Sequence, residues 1–392
     1  MTEYHPPRRS FALVIVALIA LAVLASACTG VATPEGWASP ILVLGDDPEQ
    51  EDLLLVAHRD LLIALDADGL SPQWAFPPEE DDDEDIDVRA LYGTPATLGE
   101  LVFMPAWDED GNGTLYALKR DTGELDWSRE TDGPLIGGVT VFQDTVYFGS
   151  SDGNVYALDA KSGDFRWPPF ETGKEIWSAP ALAGDTLFVT SLDGKLYALD
   201  PENGNLRWAF KTDAGIASPP VVDEEAGLVY VGGFDSQLRA IDLETHEERW
   251  SVQADNWFWA RPLIAEGVLY AGSLDGNVYA VDVESGDLLW AQPFETDAPV
   301  RAAPLIAGGV LIVIDRDGKV YGIDPDSGFS AFGSPLLLDA DVLADPLVQR
   351  IESSDGEAVV DEEVLVVTTK GEVVRIDPTT LRTIEQRTLR RQ

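Results

Sequence analysis

GKLYALDPENGNLRW, residues 194–208, holds an apolar run, two glycines set in turn chemistry and a closing tryptophan. Close variants return along the chain as LLIALDADG, GTLYALKRDTG, GNVYALDAKSG, SQLRAIDLETH, GNVYAVDVESG, GKVYGIDPDSG and GEVVRIDPTTL, which makes eight. The aromatic residue that closes the phrase falls at Trp74, Trp127, Trp167, Trp208, Trp250, Trp290 and Phe332, at intervals of 53, 40, 41, 42, 40 and 42 residues. A period of about 40 residues identifies a repeat architecture, in which each unit buries its faces only against its neighbours.

Within a unit, DTLFVTS and KLYALD are short runs of aliphatic, aromatic and β-branched residues separated by Asp193-Gly194. An Asp-Gly pair between such runs predicts a tight type I′ hairpin, with positive φ at both central positions. The second turn, Asp200 to Gly204, places glycine where φ is again positive, and Gly123, Gly163, Gly286 and Gly328 hold the equivalent place. Upstream of each unit runs a lead-in segment such as WSAPALA or WARPLIA, with proline at 40, 95, 180, 219, 262, 304 and 346, and Val139 in the remaining unit. Proline donates nothing to a ladder and suits the first residue of a strand. Four short strands per unit, eight times over, predict an all-β fold: an eight-bladed β-propeller over residues 37–392. The run EEDDDEDID, residues 79–87, is an acidic insertion between blades 1 and 2 that accounts for the interval of 53. Blade 1 is expected to begin at its inner strand near Trp37 and blade 8 to end at its outer strand near Leu389, so that the ring closes by face packing.

Residues 1–28 read differently. Arg8 and Arg9 precede the apolar run from Phe11 to Ala27, which ends in small residues before Cys28. That is the build of an export signal. The junction LASAC resembles a bacterial lipobox, with Ala25 where such boxes carry leucine, and the resemblance implies that Cys28 is lipidated, with residues 29–36 as a short tether. An uncleaved anchor is the alternative, since seventeen apolar residues stand at the short end of what spans a bilayer. Either way the body is expected outside the cytoplasm, tethered at the cell surface or in the periplasm. Cys28 is the one cysteine of the chain, which excludes disulfides, cysteine metal clusters and thiol nucleophiles from the rest.

The 392 residues carry 26 basic and 70 acidic side chains; removing residues 1–28 takes away two Arg and one Glu and leaves a net charge of −45. Such a surface repels nucleic acid and anionic headgroups. Membrane contact therefore falls to the anchor alone, and the propeller itself is expected to be a monomer.

The recurring phrase resembles the pyrroloquinoline-quinone-type propeller repeat, G-x-(Val/Leu)-Tyr-Ala-Leu-Asp-x-x-(Thr/Ser/Asn)-Gly-x-x-x-Trp, over roughly residues 37 to 380. Together with the lipobox it resembles the propeller lipoproteins of the bacterial outer-membrane β-barrel assembly machinery. The resemblance implies a non-catalytic scaffold that binds an envelope protein or an extended peptide. Two other readings are a cell-surface sensor for a ligand or carbohydrate and a quinone-dependent dehydrogenase. Alcohol dehydrogenases with this repeat carry a vicinal cysteine pair under the quinone and a calcium ion on it; this chain has no such pair, and pyrroloquinoline quinone is not expected.

Catalytic motifs are thin. GSSDG, residues 149–153, matches a nucleophile elbow in letters but sits at the recurring strand-to-strand turn instead of a strand-to-helix turn. His58 and His246 have no triad or metal spacing. Asp108, Asp110 and Asn112 match the first half of a calcium loop, yet Lys119 stands at its twelfth position and the segment falls in a hairpin. A turn of blade 2 is the expectation there, with weak calcium binding as its functional alternative. The lead-in segments carry more chemistry. Inner strands start at the channel mouth, so Trp37, Trp177, Trp257, Trp259, Arg261 and Arg301 are expected around one funnel, where Trp and Arg serve as binding hot spots.

Overall fold

A computed structural model describes residues 36–45, 50–78, 86–351 and 361–389. Cys28, the leader 1–28, the tether up to residue 35 and positions 79–85 of the acidic insertion lie outside the described residues. The described chain forms eight four-stranded antiparallel sheets, each from consecutive strands: residues 41–76, 96–131, 140–171, 181–211, 221–253, 263–295, 305–337 and 347–388 for blades 1 to 8. First strands of neighbouring blades, such as Ala181–Ala183 and Val221–Asp223, lie side by side around the centre.

Period-two alternation explains the ring. Along Leu53–His58, Leu53, Leu55 and Ala57 pack with Val102, Met104 and Tyr116 of blade 2, whereas Leu54 and Val56 pack with Leu365, Val367 and Val373 of blade 8. Both faces of the strand are buried, as a blade between two others requires. Each of the eight main apolar clusters joins two adjacent blades, and the set runs round without a gap. The eight-bladed propeller predicted from the repeat is the fold observed.

The recurring Gly and Trp form one contact between blades. Gly204 has φ +71, and a Cβ there would stand 2.6 Å from the ring of Trp167 in the preceding blade. The indole Nε1–H of Trp167 donates to the Pro201 carbonyl in the same turn (3.0 Å). The arrangement repeats with Trp74 on Arg120, Trp127 on Ala160, Trp250 on Val283 and Trp290 on Pro325. In blade 5 His246 replaces the glycine, keeps φ at +62 and stacks on Trp208 with ring centres 4.5 Å apart.

Three expectations are corrected. The Asp-Gly hairpin is a three-residue loop, 192–194, closed by Gly194 N–H on the Ser191 carbonyl (3.1 Å), with positive φ at Gly194 alone. Asp193 is engaged otherwise: its carboxylate accepts the Lys195 N–H (3.0 Å) and the Tyr197 hydroxyl (2.5 Å). The proline that opens blade 5 is Pro220, since its first strand is Val221–Asp223. The outer strands of blades 3, 6 and 7 shrink to Phe170–Glu171, Phe294–Glu295 and Leu336–Leu337. There one or two extra residues and a proline follow the closing aromatic, in WPPF, WAQPF and FGSPL, and proline breaks the ladder.

Blade 8 lacks the closing tryptophan; Glu385 stands in its place. At the seam, the Ala67 carbonyl of blade 1 accepts instead from the Arg375 guanidinium and from Gln349 Nε2 (3.2 Å). Arg375 lies within 3.8 Å of Glu363 and 3.9 Å of Glu385. Closure relies on face packing and this polar lock, with no blade shared between the chain ends.

Candidate functional site: the axial mouth

Each first strand is preceded by four residues of the form X1-x-X3-Pro, with Val139 for the proline in blade 3, read in blade 6 as Trp259-Ala260-Arg261-Pro262. The second position is small and buried, as at Ala38, Ser178, Ser218, Ala260, Ala302 and Ala344, because it faces the wall of the ring. Alternation then turns the first and third positions toward the axis. All eight X1 residues line one axial cavity: Trp37, Tyr92, Ile136, Trp177, Ala217, Trp259, Arg301 and Leu343. The X3 residues Ser39, Thr94, Arg261 and Asp345 line it as well.

Aromatic rings dominate the mouth. Tyr92 packs on Trp37 (centroids 4.1 Å) and on Trp107 (5.7 Å). The Arg301 guanidinium is inserted between two indoles, 4.2 Å from the Trp37 centroid and 4.9 Å from that of Trp259. Trp259 is in turn 6.3 Å from Trp177 and 5.9 Å from Phe234. A cation held over indole faces and desolvated gains more than it would in water.

The electrostatics are local. Burial lowers the Arg301 pKa to about 10, against the opposing influence of Asp345 and Tyr92, so the group stays charged at neutral pH. Burial likewise raises the pKa of Asp345, opposed by the Ala303 N–H it accepts at 2.7 Å and by the charges of Arg261 and Arg301. Among the described residues neither arginine has a carboxylate within 4.0 Å, and Arg301 Nε is buried without a hydrogen-bond acceptor.

Five of the six residues expected at the funnel therefore meet at this cavity: Trp37, Trp177, Trp259, Arg261 and Arg301. Trp257 stands beside it, against Phe234 at 4.4 Å. Sequence reasoning missed Tyr92, Phe234 and Asp345. Aligning the prolines instead of the tryptophans exposes Tyr92 and Asp345 as X1 and X3 residues of their blades. Phe234 had a weaker signal, a phenylalanine at the hairpin tip where neighbouring blades have Leu192 and Leu274.

The other motifs are structural in this fold. Ser151 of GSSDG lies in the hairpin between Thr145–Gly149 and Asn154–Asp159. Asp108 caps its own hairpin, accepting the Asn112 N–H at 2.7 Å. Among the described residues, no three His, Cys, Asp or Glu side chains gather as metal ligands. The axial cavity measures about 100 Å³. Small-molecule sites begin at roughly 300 Å³, so the side chains that fill the axis do not fit a tricyclic quinone.

A profile for the family described as outer membrane protein assembly factor BamB matches residues 43–169, 168–257 and 256–392. The solved structure of BamB from Moraxella catarrhalis superposes with a TM-score of 0.64 at 19% identity, covering 84% of this chain and 91% of that one. The computationally designed Ika8 protein superposes at 0.58 and 16% identity, covering 77% and 89%. A 125-residue segment is 30% identical to the quinoprotein alcohol dehydrogenase PedE of Pseudomonas putida; it takes in 32% of this chain and only 13% of that enzyme. With the repeat, the eight-bladed ring and a profile match over most of its length, the chain belongs to the pyrroloquinoline-quinone-type propeller family described as outer membrane protein assembly factor BamB.

Proposed function

We propose that this protein is a membrane-tethered, non-catalytic scaffold whose axial mouth docks another envelope protein during outer-membrane protein assembly. The observation that carries the reading is the half-buried cluster of Trp37, Trp177, Phe234, Trp257 and Trp259 with Arg301 and Arg261 on one end of a rigid ring. Tryptophan and arginine are the side chains that most often anchor protein interfaces. The small cavity beneath them favours a macromolecular surface over a ligand sensor or a quinone enzyme. Family membership supports the assembly role, and the lipobox-like LASAC at Cys28 supports the tether.

Photo-crosslinking in the native envelope tests the docking face. A benzoylphenylalanine at position 257 is expected to capture a component of the barrel-assembly machinery, and one at Asp185, on the turn at the opposite end of its blade, is not. Equal capture from both positions, or none from 257, overturns the reading. Cys28→Ser is expected to move the protein from the membrane to the soluble fraction.

A further inference from the structure

Arg261 and Arg301 face one axial cavity together with a single carboxylate, Asp345, which gives the site a net charge of +1 inside a protein of net charge −44. Asp345 makes no ion pair within 4.0 Å of either arginine and acts on both only through space; its Oδ1 accepts the Ala303 N–H (2.7 Å) and its own N–H is given to Ser39 Oγ (3.0 Å). The buried Nε–H of Arg301 is left without an acceptor. A buried donor without a partner is costly, and a buried charge without one more so. The guanidinium is packed against the rings of both Trp37 and Trp259. Arg261 differs: it is exposed at the rim, where an incoming group meets it first.

We infer that this cavity is a carboxylate-binding site, in which Arg301 and Arg261 grip the acidic group of a docked partner between the indoles of Trp37 and Trp259. Size supports the assignment. At about 100 Å³ the cavity lies below the range of small-molecule sites and suits a small terminal group such as a carboxylate. Planar carboxylates match the donor fork of arginine, and the aromatic walls exclude the water that would screen the pair. Thr94 adds a hydroxyl to the lining, and Ser39 Oγ is held by Asp345. The inference rests on the docking reading above and adds the chemistry of the partner: a free chain terminus or an Asp or Glu side chain.

The detergent-solubilised full chain is titrated calorimetrically with acetyl-triglycine, its C-terminal amide and acetyl-aspartate amide. The free acid is expected to bind at least tenfold more tightly than the amide, and to weaken at least tenfold in Arg261→Gln and in Arg301→Gln. Arg261→Lys is expected to recover part of the loss. Acetyl-aspartate amide binding as well as the free acid assigns the site to an acidic side chain; preference for acetyl-triglycine assigns it to a chain terminus. Equal affinity for acid and amide overturns the site, as does an unchanged affinity in Arg261→Gln, whose exposed side chain is not needed for folding. Crosslinking from position 257 that persists undiminished in both arginine variants also overturns it while leaving the docking reading intact. Acid-selective binding without any crosslink supports the site and overturns the docking reading.

Discussion

At the scale of single residues, the repeat's invariant-looking letters are a packing code. Gly204 is glycine for two reasons: φ is +71, and the ring of Trp167 occupies the space a methyl group needs. Gly227 shares only the first, with φ +68 and open space around it. Gly204→Ala is therefore expected to cost about 2–4 kcal/mol, combining left-handed strain with overpacking. Gly227→Ala should cost about 1–2 kcal/mol from strain alone. Urea unfolding of the two variants measures the difference; equal losses would remove the interblade contact from the explanation. Trp and Gly were legible as a recurring pair, but their meeting across two blades was not, because residues 167 and 204 are brought together by the stacking of sheets rather than by the turn either one occupies.

At the scale of the element, five hairpins, those of blades 3 to 7, are tied by a polar contact that varies with the sequence. Tyr156, Tyr197, Tyr279 and Tyr321 bond to Asp152, Asp193, Asp275 and Asp315 at 2.5–3.0 Å. Blade 5 has Arg239 in the tyrosine's place and bonds to Asp235 by an ion pair at 2.7 Å, both side chains nearly buried. Arg239→Ala strands that carboxylate and is expected to cost about 3–5 kcal/mol. Arg239→Tyr restores the contact of the other blades and should cost under about 1 kcal/mol in the same urea assay. The second turns respond to pH. The carboxylate of Asp242 accepts the N–H groups of Thr245 (2.8 Å) and Glu244 (2.9 Å), and that of Asp282 accepts those of Ser285 (2.8 Å) and Glu284 (3.2 Å). The backbone N–H bonds hold both acids below their ordinary values. A carboxyl group depressed in the folded state adds stability above its unfolded value of about 3.9 and loses it as pH falls through the folded value. Unfolding should accordingly become easier below about pH 4, with a shallower acid slope in the double variant Asp242→Asn, Asp282→Asn. A parallel slope in that variant counts against the turns as the acid-sensitive elements.

On the scale of the whole molecule, the ring has one distinctive joint. Five turn carbonyls accept a tryptophan Nε1–H from the preceding blade, whereas the Ala67 carbonyl takes Arg375 and Gln349 across the meeting of the chain ends. Arg375→Ala leaves Glu363 nearly buried beside a lost cation and is expected to cost about 3–5 kcal/mol. Hydrogen exchange should show protection lost first in blades 1 and 8, since the seam then keeps face packing and weaker polar contacts such as Gln349 on the Ala67 carbonyl. Uniform loss across all blades would deny the seam a separate stability.

The sequence alone determined the unit, the count of eight and the all-β ring, because a hydrophobic period of two within a period of about 40 leaves few ways to bury both faces of a sheet. It also pointed to the axial tryptophans and arginines, by marking where the units differ. Only the tertiary structure decided which of them meet. Arg301 stands against both Trp37 and Trp259, residues 264 and 42 positions away, because ring closure points the lead-ins of the first, sixth and seventh blades at one axis. Trp257, two residues from Trp259 and ahead of the first strand, packs on Phe234 beside the cavity and not in its lining. Spacing along a chain fixes which face a side chain takes; what it meets on that face depends on how the sheets close around the axis.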